Sequence, residues 1–258
     1  MNSPRLALLA VALAGSAFAE PKVWLDERFA DGERATQALP ASAEWLSSSA
    51  TSTVIVAPGS LVQTGGGRHV LAYFTPKDAP AAIGLNETLV LTYEIAVSVP
   101  ADGPGALRVG LFNSGGHRVV MDKQARSADF AHYRGYMGAA NPAPSKNLPL
   151  RLFKRTGGDD TLIAALPPFF ALGEGGGALQ PLRDGVTYTG TLTIQRSPSG
   201  QTSTLTHGFS GGDLSLHQVT AADSLEPVTT FDTVVFHAGT KAASAFTLKS
   251  VRIEIRKN

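Results

Sequence analysis

The sequence predicts an all-β fold built as two stacked antiparallel sheets. Three observations carry that prediction. No segment keeps helical apolar spacing over three turns. Short alternating runs recur along the chain, each bounded by Gly, Pro, Asn, Asp or Ser. About a dozen such runs are too many for a small barrel and suit a two-layer sandwich.

Taken in order, residues 1–19 read as a secretory signal. Arg5 supplies the positive n-region, residues 6–14 a nine-residue apolar stretch, and Ala17-Phe18-Ala19 the small-x-small cleavage site. Nine residues are too few for a membrane anchor, which needs about 20 to cross ~30 Å of hydrocarbon. No later apolar run is long enough to span. Removing the signal takes away Arg5 and no acid, so the 22 basic residues become 21 against 21 acidic ones. A neutral chain with mixed charges lacks the basic stripe that nucleic-acid binding requires. The chain has no cysteine, which excludes disulfides, thiolate nucleophiles and Cys-ligated metals. The expectation is an exported protein, periplasmic or extracellular, whose residues 20–258 form one domain held together by core burial.

Strands are expected at 23–29, 53–56, 69–74, 88–99, 106–112, 132–138, 150–154, 186–196, 202–209 and 213–219. Between them lie turn formers such as Pro58-Gly59, Gly65-Gly66-Gly67, Ser199-Gly200 and Gly211-Gly212. In 88–99, Leu89, Leu91, Tyr93, Ile95 and Val97 share one side and are assigned to the core. In 186–196, Val186, Tyr188, Leu192 and Ile194 alternate with a threonine ladder that suits an exposed sheet face; Gly190 interrupts the apolar side. Residues 32–45 carry Pro40 mid-way and read as an irregular crossing, since proline costs a helix interior ~3 kcal/mol. Asp122 is a candidate N-cap for a short helix over 122–130, with a polar loop as the alternative. Residues 141–149 and 157–184 show no clear pairing, and long irregular segments of this kind are disproportionately functional.

The last runs, 231–239 and 246–258, are separated by the small-residue turn Thr240-Lys241-Ala242-Ala243-Ser244-Ala245 and read as a closing hairpin. Phe246 and Leu248 are in phase with each other, whereas Val251, Ile253 and Ile255 are one residue out of that phase. A bulge near Lys249-Ser250 restores a single core face.

DERFADG near the mature N-terminus, DGVTYTGTLTIQR in a late central strand and FTLKSVRIEI in the closing run together resemble bacterial secreted LamG-like jelly rolls of the concanavalin A-like lectin/glucanase superfamily. The resemblance covers most of the mature chain, and its motifs are structural. It implies a jelly roll whose first and last strands pair, with a concave sheet that often holds glycans. It does not choose between enzyme and binder.

No catalytic set is recognised. Glycosidases of this fold place two carboxylates close together on one strand, and E-x-D-x-x-E occurs nowhere. Phe236-His237-Ala238-Gly239 faintly resembles the C-terminal motif of the alginate-lyase branch, and His237 reads more simply as a strand-end residue. Gly208-Phe209-Ser210-Gly211-Gly212 spells G-x-S-x-G, but it falls between two predicted strands, where a hairpin turn is the better reading than a nucleophile elbow.

Glycan binding needs an aromatic platform and planar polar partners. The candidate ligand residues are Glu94, Arg108, Arg134, Tyr136 and His237, around the stretch His132-Tyr133-Arg134-Gly135-Tyr136. Arg108 and Phe112 flank Gly110 on the outward side of their strand, which would leave room for a ligand to approach the backbone. The competing reading is an Arg-Glu pair across an exposed sheet. Structural calcium is the one cofactor considered, with Asp26, Glu27, Asp31 and Asp232 as its oxygen donors where the chain ends meet. The leading expectation is a secreted, noncatalytic carbohydrate-binding jelly roll with a polysaccharide or glycan partner. The alternatives are a polysaccharide-degrading hydrolase or lyase with an unrecognised site, and an envelope assembly protein.

Overall fold

A computed structural model describes residues 20–49, 54–98, 105–122, 125–141, 150–163, 168–175 and 181–258. The expected signal at 1–19 and the run 142–149 lie outside them. In chain order the strands are β1 (Lys22–Glu27), β2 (Trp45–Ser47), β3 (Val54–Ala57), β4 (Ser60–Thr64), β5 (Arg68–Tyr73), β6 (Ala81–Ala82), β7 (Glu87–Ser98) and β8 (Leu107–Asn113). They continue with β9 (Arg134–Ala140), β10 (Leu150–Arg155), β11 (Phe169–Gly175), β12 (Thr187–Arg196), β13 (Ser203–Gly211), β14 (Leu214–Asp223), β15 (Thr230–Phe231), β16 (Thr233–Ala238) and β17 (Ala245–Lys257). Each of the twelve expected strands is present. The only helix among the described residues is a 3-10 turn, Ala128–His132, and none there is long and apolar enough to cross a membrane.

Two antiparallel sheets form the sandwich. The eight-stranded sheet runs β14-β13-β12-β7-β17-β4-β3, with β1 also paired to β17; the seven-stranded sheet runs β11-β10-β9-β8-β16-β5-β2. The apolar faces assigned from sequence meet between them: Leu89, Leu91, Tyr93, Ile95 and Val97 of β7 pack with Leu192 and Ile194 of β12 and with Val109, Leu111 and Phe236 from the other sheet. The phase change in β17 is a true bulge, since its register to β7 shifts between Leu248 and Ser250 and leaves Lys249 exposed. The expected pairing of the first strand with the closing run also holds, from Lys22 opposite Ile255 to Glu27 opposite Val251.

Three expectations are corrected. The closing runs are not a hairpin: β16 belongs to the seven-stranded sheet and β17 to the eight-stranded one. The connecting turn crosses between layers because its alanines are small enough to be buried there, Ala242 and Ala243 both at 0 % exposure. Asp122 caps no helix; its carboxylate takes a two-pronged contact from Arg34 (3.0 and 2.6 Å), and the 3-10 turn is capped by Ser127. Within 157–184, residues 169–175 form β11 at the sheet edge, paired to β10.

The seven-stranded sheet is largely buried on both faces along its central strands. Its outer face carries a second apolar cluster, including Leu71, Tyr73, Phe112, Met137, Phe153 and Val235, covered by Val119, Phe130, Tyr133, Leu162 and Ile163 from the segments after β8 and β10. Arg155, at 0 % exposure, fastens this cover. Its guanidinium donates to the carbonyl oxygens of Tyr133 (3.1 Å), Thr161 (2.8 Å), Phe130 (2.7 Å) and Asp159 (2.9 Å). Burial lowers the Arg155 pKa to about 10, and the four carbonyl dipoles answer the cost of keeping that charge inside.

Candidate functional site

The five sequence-predicted ligand residues do not converge. Glu94 is exposed on β7, in the eight-stranded sheet, where it accepts from the Ser250 hydroxyl at 3.2 Å. Arg108, Arg134, Tyr136 and His237 lie in the seven-stranded sheet. Glu94 and Arg108 thus stand on opposite layers, and no Arg-Glu pair joins them. Tyr136 is no platform, because it points into the core at 0 % exposure. The space beside Gly110 is filled: the Phe112 ring folds over it, and a Cβ at Gly110 would lie 2.3 Å from Phe112 Cε2. His237 is buried near the end of β16, with its Nδ1 3.1 Å from Arg108 Nη1. Burial, then the Arg108 charge, holds its pKa well below the ordinary imidazole value.

Arg134, by contrast, lines an open cleft. β9 and β10 run out of sandwich core at their Arg134 and Lys154 ends, and polar groups take over. Lys154 follows Leu150 and Leu152 on the inward side of β10, so its ammonium needs partners at the rim. It finds the Asp223 carboxylate at 2.8 Å and the carbonyl oxygens of Leu225 and Glu226. Asp223, the last residue of β14, also accepts from the Tyr136 hydroxyl (2.8 Å) and the Leu225 N–H (3.0 Å). The Tyr136 oxygen in turn accepts from the Val228 N–H at 2.8 Å. Desolvation, with the Asp223 bond and charge, pushes the Tyr136 hydroxyl far above its ordinary range. Its proton is fixed, and the cluster serves to pin the segment 224–229.

Above this floor lies a cleft of about 1090 Å³. Its wall includes Arg134, Asn113, Phe170, Leu225, Val228 and Thr230. Phe170 is 58 % exposed and Leu225 79 %. Arg134 has no ion-pair partner among the described residues. A volume of that size, an uncovered aromatic ring and a free planar guanidinium suit a polyhydroxylated ligand, whose C–H face stacks while its hydroxyls take donors. Sequence reasoning missed Phe170 and the 224–229 segment. The available signal was Pro167-Pro168-Phe169-Phe170, adjacent aromatics in a run without evident pairing.

The four candidate calcium donors do not fit a metal. Glu27 is buried, and its carboxylate accepts from the N–H groups of Phe29 (2.7 Å) and Ala43 (3.0 Å) and from Trp45 Nε1 (3.4 Å). Asp26 is paired to Arg252 (2.7 Å) and Arg28 (3.4 Å), and Asp31 accepts from the Glu33 N–H at 3.2 Å. Asp232 holds Ser114 and Thr233 in the other layer. Among the described residues no group of three His, Cys, Asp or Glu side chains is placed to share an ion.

One pattern that the sequence reading took to be missing is present. Arg252-Ile253-Glu254-Ile255-Arg256 spells R-x-E-x-R, the strand signature of the alginate-lyase branch. In the structure these three charges lie along β17 of the eight-stranded sheet, away from His237. Glu254, 2 % exposed, is clamped by both arginines, which hold its carboxyl below the ordinary range against the opposing effect of burial. With its charges spent on one another and on Asp26, this is an ion-pair network centred on a buried glutamate.

No family model and no curated protein matches the chain. Solved structures do. The metal-free carbohydrate recognition domain of Emp46p aligns with a TM-score of 0.50 at 13 % identity, over 81 % of this chain and 87 % of that one. The CBM2 module of the evolved Dit of Lactobacillus casei BL23 phage J-1 aligns with a TM-score of 0.52 at 9 % identity, over 92 % and 97 %. At these identities the likeness shows the fold alone: an all-β, two-sheet antiparallel sandwich of the jelly-roll kind.

Proposed function

We propose that this is an exported, noncatalytic carbohydrate-binding protein, a single jelly-roll domain that holds its glycan in the cleft beside Arg134 and Phe170. The carrying observation is that cleft, where an exposed aromatic ring and an unpaired guanidinium face a pinned polar floor. The lectin-like fold supports the reading, and so does the way the ionisable groups of the floor are committed to one another. Export rests on the sequence of residues 1–19, and a mature N-terminus at Glu20 after secretion is the expected result.

The test is a glycan screen with pull-downs on insoluble polysaccharides. Phe170→Ala and Arg134→Ala should each weaken binding about tenfold or more, consistent with loss of a stacking ring or a charge-assisted hydrogen bond. A blank screen would remove the reading. Release of reducing ends or unsaturated uronates from a substrate panel would replace it with a catalytic one.

A further inference from the structure

The outer face of the seven-stranded sheet carries a row of basic groups that the cleft does not use. Reading across the strands, His69 of β5 stands opposite His237 of β16, and His237 opposite Arg108 of β8. Arg108 is followed by Ala139 of β9 and then Arg151 of β10. Four of these five cross-strand neighbours are basic, and the fifth is the smallest side chain a strand can place there without using glycine.

The row differs from the other buried cations of this protein. Arg155 is satisfied by four carbonyl groups, Lys154 by Asp223, and Arg118 lies 3.5 Å from Asp232. Arg108 is half-buried, yet its one hydrogen-bond partner among the described residues is the His237 imidazole, and no described carboxylate pairs with it. A guanidinium only donates, so His237 Nδ1 accepts and the proton of the neutral ring sits on Nε2. His69 is 5 % exposed, and its Nε2 is buried without a partner. Arg151 is paired, at 3.9 Å, with Glu174 at the exposed strand edge. Burial, and next the charge of Arg151, lower the pKa of Arg108. Arg108 thus holds a partly buried charge beside Arg151 with no described carboxylate of its own, which is unfavourable unless an anion completes it.

We infer that this row is an anion site for a carboxylate or sulfate group, with Arg108 as its charged anchor. Arg151 supplies the second guanidinium from the far side of Ala139, and the two imidazoles act as neutral donors. Arginine suits this role because its planar fork matches the two oxygens of such a group. The inference does not depend on the glycan cleft.

The full mature chain would be titrated by calorimetry and by NMR with sodium sulfate, with galacturonate and with galactose, at an ionic strength fixed by chloride. Saturable binding of either anion, with shifts at the row and none there from galactose, is expected. Arg108→Gln should weaken that binding at least tenfold and Arg151→Gln several-fold, while Phe170→Ala leaves it unchanged. If Arg108→Gln fails to fold, Arg151→Gln at the rim decides. Sulfate binding marks a general oxyanion site, and binding of galacturonate alone marks an acidic-sugar site. No saturable binding of either anion, or binding indifferent to both arginine variants, would overturn the inference whatever the glycan screen gives.

Discussion

Tyr93 and Gly190 are register partners across the β7–β12 pair, and the Tyr93 ring occupies the place a side chain at 190 would need. A Cβ at Gly190 would lie 2.1 Å from Tyr93 Cζ. The ring cannot give way easily, because it makes edge contacts with Phe209 and Phe236 at centroid distances of 5.9 and 5.1 Å. This is why glycine interrupts the apolar side of β12.

Gly190→Ala is therefore expected to destabilise the fold by about 1–3 kcal/mol through overpacking. Urea unfolding would show a lower midpoint with an unchanged slope. Thr187→Ser, exposed on the same strand, should stay within about 0.5 kcal/mol. Equal stability of Gly190→Ala and the parent would mean that Tyr93 repacks freely.

The Lys154–Asp223 pair supports the floor of the cleft, and both partners are nearly buried, with side chains 11 % and 2 % exposed. Removing either partner leaves a charge without its counterpart, a loss of about 3–5 kcal/mol. Asp223→Ala should cost more than Lys154→Met, because it also strands the Tyr136 hydroxyl and the Leu225 N–H. A double-mutant cycle by chemical denaturation measures the coupling, and near-zero coupling would show that the pair is not what pins the segment 224–229.

Stability should begin to fall with acid at a pH above the carboxylate range. Burial lowers the pKa of His69 to about 3 and of His207 to about 4, and holds that of His237 well below 6.5. The sign follows from proton counts. Above the unfolded value of about 6.5 both states are neutral and stability is full. Below it the unfolded chain takes up protons that the folded one refuses, so stability is lost as pH falls toward the folded values. Each histidine contributes a slope of at most about 1.4 kcal/mol per pH unit. Urea midpoints between pH 7.5 and 4.5 should decline steadily, and His207→Gln should flatten the decline. A flat profile across that window would contradict the burial of these rings.

The strands were legible because half-buried strands announce their faces by alternation, as β7 and β12 do. The bulge in β17 was legible for the same reason, as a break in phase around Lys249. The site was much less so. β16 is buried at all six positions and β9 at all but Arg134, so their apolar character is nearly continuous and does not tell inward from outward. Tyr136 and Tyr133 were accordingly read as a surface platform, when one belongs to the sandwich core and the other to the cover over the outer face. The layer change between β16 and β17 escaped for a related reason. A short turn of small residues looks like a hairpin until the sheet membership of its two arms is known.

That layer change has a consequence for assembly. β17 lies between β7 on one side and β1 and β4 on the other, so it joins pieces of chain separated by almost the whole described sequence. A nascent chain that has reached only Ser244 carries β1, β3 and β4 with no place to attach, and the eight-stranded sheet is divided at its middle. Topology of this sort makes folding slow and nearly all-or-none, because the entropy of closing the long loops is spent before the central ladder forms. The eight-stranded sheet therefore cannot be completed until its closing strand is available, however early in the chain β1, β3 and β4 are made.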